Sequence, residues 1–144
     1  MKKHIITYTV NQIDQLITYI QEAMNSCFVI TLQGPLGAGK TFLVKELLRA
    51  CGIDKHIQSP TFSYMHIYQN NEGYTFYHFD LYRMQDIQQF KRAGFEEYLY
   101  QPYSWAIIEW PEIIKPLLSH GVCKINIEYN ASDEYSRTAT IYKY

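Results

Sequence analysis

A three-layer α/β sandwich on a mixed parallel and antiparallel sheet is what this 144-residue sequence predicts. Three observations carry the prediction. Apolar, β-branched runs alternate with stretches of helical spacing, the pattern of parallel strands joined by crossovers. Two hairpin signals interrupt that alternation and add antiparallel strands. The all-apolar run Trp105-Ala106-Ile107-Ile108 has the character of a strand buried on both faces, as in the middle of a covered sheet.

In chain order, His4 to Thr9 reads as a strand, and Asn11 is placed to cap a helix running to about Ser26. Ile13, Leu16, Ile17, Ile20, Ala23 and Met24 give that helix one apolar face. Cys27 to Leu32 reads as a second strand, and Phe42 to Cys51 as a helix. Its expected apolar stripe is Leu43, Leu47, Ala50 and Cys51, with Lys45, Glu46 and Arg49 facing away and Gly52 as its stop. After a polar connection, Phe62 to Tyr68 and Tyr74 to Phe79 form a hairpin around Asn70-Asn71-Glu72-Gly73. Asp86 to Ala93 is a short helix broken at Gly94, and Glu96 to Tyr100 is a further helical turn. Pro111 starts a helix through Leu118. Lys124 to Tyr129 and Arg137 to Tyr142 are strands around a turn at Ser132-Asp133-Glu134.

Between the second strand and its helix stands Gly34-Pro35-Leu36-Gly37-Ala38-Gly39-Lys40-Thr41, a complete match to G-x-x-x-x-G-K-[ST]. Glycines let consecutive N–H groups curl toward phosphate oxygens, Lys40 supplies positive charge, and the Thr41 hydroxyl suits Mg²⁺. Its place at a helix N-terminus adds unpaired donors and the helix dipole. A Gly-rich turn serving only to join strand to helix explains the glycines, but not Lys40-Thr41. The expected sandwich is therefore P-loop NTPase-like, and the expected guests are a nucleoside triphosphate and Mg²⁺.

At this length the chain suits a single domain over residues 1–144, with a real core and little room for a substrate lid. Thirteen basic and fourteen acidic residues leave a formal charge of −1, so no global field recruits nucleic acid. Cys27, Cys51 and Cys123 are scattered and read as reduced, buried thiols. The N-terminus lacks an uninterrupted apolar stretch and no run approaches membrane-spanning length, so a soluble cytoplasmic protein without a membrane partner is expected. The fourteen tyrosines read as compositional bias with a few base-stacking exceptions.

P-loop chemistry needs an acidic residue at the end of a neighbouring buried strand. Glu109 ends the run Trp105 to Ile108, as a metal ligand or else a solvated strand-end carboxylate. Asp80 ends the strand Tyr74 to Phe79, ordering the Mg²⁺ water shell or positioning the nucleophile, or else capping a helix or pairing with Arg83. Ser59-Pro60-Thr61 lies where such folds put a γ-phosphate-sensing loop, or is simply a Ser-Pro turn. His78 reads as a satisfied strand histidine rather than a catalytic base, Trp110 as core rather than a nucleotide platform, and Arg137 as a phosphate-sensing arginine or a surface charge.

Taken together, Gly34 to Thr41, Ser59-Pro60-Thr61-Phe62, His78-Phe79-Asp80-Leu81-Tyr82-Arg83, Gly94-Phe95-Glu96-Glu97-Tyr98-Leu99 and Ile107-Ile108-Glu109-Trp110-Pro111-Glu112 resemble the TsaE (YjeE) family in order and spacing. The resemblance implies a small bacterial ATPase working with TsaD and TsaB to form threonylcarbamoyladenosine on tRNAs that read codons beginning with A. ATP hydrolysis would reset the synthase complex, and tRNA would be met through that complex. Carried over, Gly34 and Gly37 to Phe42 (Gly37, Ala38, Gly39, Lys40, Thr41, Phe42) would hold ATP, with Thr41 and Glu109 on Mg²⁺. Lys40, Asp80, Glu109 and Thr61 would support hydrolysis, and Thr9-Val10-Asn11 resembles the piece that approaches the adenine, which assigns Val10 and Asn11 to the nucleotide. The family usually has Asp where this chain has Pro35; proline removes one N–H at the loop's entry, and phosphate binding is expected to survive.

Two other functions compete with this one. A small-molecule kinase would move the γ-phosphate to a hydroxyl, but no Arg-rich lid is visible downstream of the P-loop helix. A non-hydrolysing regulatory module would bind nucleotide and act by docking on a partner.

Overall fold

Valine, isoleucine and aromatic residues concentrate in the strands, and in the computed structural model, which describes residues 1–60 and 62–144, these pair into one seven-stranded sheet. The strands are β1 (Lys2–Thr9), β2 (Val29–Gln33), β3 (Met65–Gln69), β4 (Thr75–Asp80), β5 (Ser104–Glu109), β6 (Val122–Asn130) and β7 (Asp133–Lys143). Their order is β1-β7-β6-β2-β5-β4-β3. β6, β2, β5 and β4 run parallel, while β1, β7 and β3 are antiparallel to their neighbours. The expected mixed sheet is thus present, with the apolar run of β5 between β2 and β4.

Alternation along the strands divides the core into two layers. Ile30 and Leu32 on β2, Ile107 on β5 and Ile125 and Ile127 on β6 pack against α1 (Ile13–Ala23) and α2 (Lys40–Ala50). Val29, Phe79, Ala106, Ile108 and Val122 face the other way, onto Phe90 of α3 (Ile87–Arg92) and onto Ile114 and Leu118 in and after the 3₁₀ segment Pro111–Leu117. Helical segments therefore cover both faces of the sheet, which makes the fold a P-loop NTPase-like three-layer sandwich.

Several boundaries differ from expectation for identifiable reasons. Asn11 does not cap α1; the chain passes through a 3₁₀ turn, Val10–Gln12, in which Gln12 Oε1 accepts the Thr9 N–H at 3.2 Å. α2 starts at Lys40 rather than Phe42, because Gly39 supplies the left-handed entry. Its buried face is Leu43, Val44, Leu47 and Leu48, whereas Ala50 is exposed and Cys51 half-buried. The helix ends as expected at Gly52, in a Schellman arrangement: Gly52 N–H reaches Arg49 C=O and Ile53 N–H reaches Leu48 C=O, each at 3.0 Å. The segment after Pro111 is 3₁₀ rather than α, with Pro116 inside it removing another donor. Cys27 and Cys123 are buried free thiols, and burial pushes the Cys123 pKa up to about 12.

Among the described residues no helix is long and apolar enough to cross a membrane. Leu47 is fully enclosed between α2 and the sheet. Leu47→Ala should therefore cost about 2–5 kcal/mol, read as a lowered midpoint in urea unfolding with little change in slope.

Candidate functional site

A glycine-rich loop after an apolar strand can turn sharply, and here it does so directly after β2 ends at Gln33. Gly37 and Gly39 have φ of 77° and 99°, left-handed values that suit glycine. Gly34 is required for space: a Cβ there would lie 2.5 Å from the Ile127 carbonyl oxygen of β6. The loop is also tied to β6 by Tyr129, whose hydroxyl donates to the Leu36 carbonyl at 2.6 Å. Pro35 is exposed and acts through its carbonyl, which accepts from Lys40 Nζ at 2.9 Å and from Ala38 N–H at 3.1 Å. Its missing N–H breaks neither bond.

Lys40 opens α2 and is only 5% exposed. Its ammonium donates to the Gly34 carbonyl at 2.6 Å and lies 3.9 Å from the centroid of the Trp110 ring. Burial lowers its pKa, while the carboxylates of Glu109, Glu112 and Asp80 raise it. The lysine is thus a desolvated cation facing carboxylates at a helix N-terminus.

Strand alternation delivers the acidic residues. Phe76, His78 and Asp80 share one face of β4, and Ile107 and Glu109 share one face of β5. Phe76 and Ile107 lie in the α1–α2 core, so Asp80 and Glu109 point toward the same layer as α2. The register sets Asp80 opposite Glu109 and Glu109 opposite Leu32 at the loop's base. Glu109 is buried: Oε1 accepts from Thr41 Oγ1 at 2.8 Å, and Oε2 pairs with His78 Nε2 at 2.7 Å. Asp80 Oδ1 accepts the Tyr82 N–H at 3.1 Å and Oδ2 the Ser59 hydroxyl at 3.4 Å. Burial, the largest influence, raises the Asp80 pKa; the Tyr82 N–H lowers it and the nearby Glu109 charge raises it.

The candidate residues Lys40, Thr41, Asp80 and Glu109 meet in one cavity of about 280 Å³, walled by Tyr82 and Trp110. Trp110 is half-buried with a left-handed φ of 58°; it packs against the second core layer, as expected, and also stands between Lys40 and the Tyr82 ring as a wall of this cavity. An adjoining cavity of about 350 Å³ shares Gly37, Gly39 and Phe42. Ala38, Val10 and Arg137 line it, Asn11 does not, and sequence reasoning missed Tyr8, Glu134 and Tyr135 there. Arg137 is not a free surface charge. It stacks 4.5 Å from the Tyr129 ring, with Nη1 donating to the Glu134 and Ser136 carbonyls at 2.9 Å. Ser59 places the Ser-Pro segment beside Asp80, and Thr61 lies outside the described residues.

A third cavity, of about 390 Å³, lies near the C-terminal ends of α1 and α2. Three of its polar side chains are spent on fixed bonds: Gln21 to the Ala50 carbonyl, Asn70 to the Cys51 carbonyl, and Trp105 Nε1 to the Met24 and Cys27 carbonyls. The chemistry converges instead at the carboxyl ends of β2, β4 and β5, where open α/β sheets place their ligands.

The chain is also similar to known proteins. Residues 7–139 match the family model described as threonylcarbamoyl adenosine biosynthesis protein TsaE. The tRNA threonylcarbamoyladenosine biosynthesis protein TsaE of Rickettsia felis is 36% identical over 128 residues, 88% of this chain and 72% of that protein. The protein of the same name from Bacillus subtilis is 35% identical over 112 residues, 78% of this chain and 68% of that protein. The crystal structure of Bacillus subtilis YdiB superposes with a TM-score of 0.68 at 23% identity, covering 98% of this chain and 86% of that one, a likeness of fold.

The Asp80 environment sets a pH-dependent cost. Its folded pKa lies above its unfolded value, so its contribution to stability is fully present below about pH 4 and is lost as pH rises through the folded pKa. Asp80→Asn should therefore melt higher than the parent at pH 7, and the difference in Tm should shrink toward zero on acidification below about pH 4. A difference that grows on acidification would show that burial does not govern this carboxyl.

Proposed function

Because the chain belongs to the TsaE family of tRNA threonylcarbamoyladenosine biosynthesis proteins, we propose that it binds and hydrolyses ATP with Mg²⁺ in the cytoplasm. We further propose that it acts with TsaD and TsaB to reset the complex that modifies tRNA, meeting tRNA through that complex. The observation that carries the chemical part is the 2.8 Å bond between Thr41 Oγ1 and Glu109 Oε1, which joins the loop's hydroxyl to a strand-end carboxylate.

Two hard oxygen donors at that separation suit Mg²⁺, which takes few protein ligands and keeps water and phosphate oxygens for the rest. Thr41 and Glu109 would hold the ion, and when bound it neutralises charge on the β- and γ-phosphate oxygens. The backbone N–H groups of Gly37 to Phe42 would cradle the phosphates at the start of α2. Lys40 would exchange the Gly34 and Pro35 carbonyls for phosphate oxygens, a gain for a desolvated ammonium whose two hydrogen bonds go to neutral carbonyls. Asp80, with its raised pKa, would accept a hydrogen bond from the attacking water and orient it. Gly34 would act indirectly, by letting the loop seat on β6, and Thr61 would stand near the γ-phosphate. The adjoining cavity would take the nucleoside, with Val10 and Phe42 against the base.

Phosphate release from Mg·ATP, measured with and without TsaB, TsaD and tRNA, tests the proposal. Slow intrinsic turnover that rises with the partners is expected. A phosphorylated metabolite in place of free phosphate would identify a kinase, and binding without release in the complex would identify a regulatory module. Lys40→Ala should lower turnover by about 10²–10³-fold, the scale for losing one preorganised charge-stabilising donor. Glu109→Gln should lower Mg²⁺-dependent turnover while sparing metal-free nucleotide affinity.

A further inference from the structure

We propose that His78 is a positioning residue that fixes the Glu109 carboxylate so that one oxygen alone faces Thr41 and the metal. The inference rests on the reading of Glu109 as a metal-holding residue. His78 is fully buried on β4, with Phe76 and Asp80 its neighbours on the same strand face. As a carboxylate Glu109 can only accept, so His78 Nε2 is the donor to Oε2 at 2.7 Å. Oε1 is the oxygen bonded to Thr41. The carboxylate is thus held at both oxygens, from β4 and from the first turn of α2, across the end of the sheet.

The cost of His78 at this position is visible. Among the described residues its Nδ1 has no hydrogen-bond partner, a penalty that an apolar side chain of similar size would avoid. What the imidazole adds, and such a residue could not, is the bond to Oε2. Such outer contacts commonly orient a ligand and tune its metal. Holding Oε2 also disfavours two-oxygen coordination by Glu109, which suits octahedral Mg²⁺ better than Ca²⁺, an ion that readily takes bidentate carboxylates.

The test is the affinity of a fluorescent ADP analogue in EDTA, in Mg²⁺ and in Ca²⁺, for the parent, His78→Leu, His78→Gln and Glu109→Gln. His78→Leu is expected to keep its affinity in EDTA, to lose about 10–100-fold of the Mg²⁺-dependent tightening, and to discriminate less between Mg²⁺ and Ca²⁺. His78→Gln, whose amide nitrogen reaches the Nε2 position, is expected to restore much of that tightening. If His78→Leu keeps the parent's tightening and ion preference while Glu109→Gln loses them, the role of His78 is overturned and Glu109 stands. If Glu109→Gln also keeps them, the metal role of Glu109 falls and takes this inference with it. Should His78→Leu fail to fold, His78→Asn replaces it, since its shorter amide reaches only the Nδ1 position. Gln must then outperform Asn, and equal tightening in the two overturns the proposal.

Discussion

Because β5 pairs in parallel with both β2 and β4, three strands end on the same edge of the sheet, and the site depends on that shared direction. Were any of the three reversed, its terminal side chain would emerge at the opposite edge, some strand-length away. Parallel pairing also demands crossovers, and the crossover after β2 is α2, whose first turn carries Lys40 and Thr41. One topological constraint thus produces both the helix N-terminus and the carboxylates that face it. Pleat alternation completes the arrangement by turning Asp80, Glu109 and His78 toward α2 and leaving Phe79 and Ile108 to the other core layer.

The electrostatics follow from this crowding. A buried ammonium is costly alone, and Lys40 is sustained by two loop carbonyls, the face of Trp110 and the carboxylates nearby. Glu109 is equally committed, with one oxygen on Thr41 and the other on His78. The loop itself is held from behind by β6, through close packing at Gly34 and the Tyr129 hydroxyl, and Arg137 stacks on that same tyrosine. The β6–β7 hairpin therefore braces the loop and walls its adjoining cavity, roles that its polar, tyrosine-rich sequence does not advertise.

Much of the fold was legible because local periodicity reports burial. The α1 face from Ile13 to Met24, the doubly buried β5 run, the Asn70–Gly73 hairpin and the Gly52 stop each follow from side-chain spacing or from a residue's backbone preferences. Errors arose where tertiary packing outweighed that signal. The α2 stripe rotated toward Val44 and Leu48, both buried in the core layer shared with α1 and the sheet, while Ala50 reached solvent. Trp110 packs on the core as its sequence suggests, but its ring also faces Lys40, a contact that no local pattern announces.

By itself the sequence determined the glycine-rich turn, the helix behind it and the strand ends that bear Asp80 and Glu109, since each depends on neighbours a few residues away. Only the tertiary structure decided which of these groups touch. Thr41 meets Glu109 across 68 positions and His78 meets it across 31, while Tyr129 reaches Leu36 across 93. Strand order and register set such meetings, through the loop-closure entropy and face-to-face packing of the whole chain, and no local pattern encodes them.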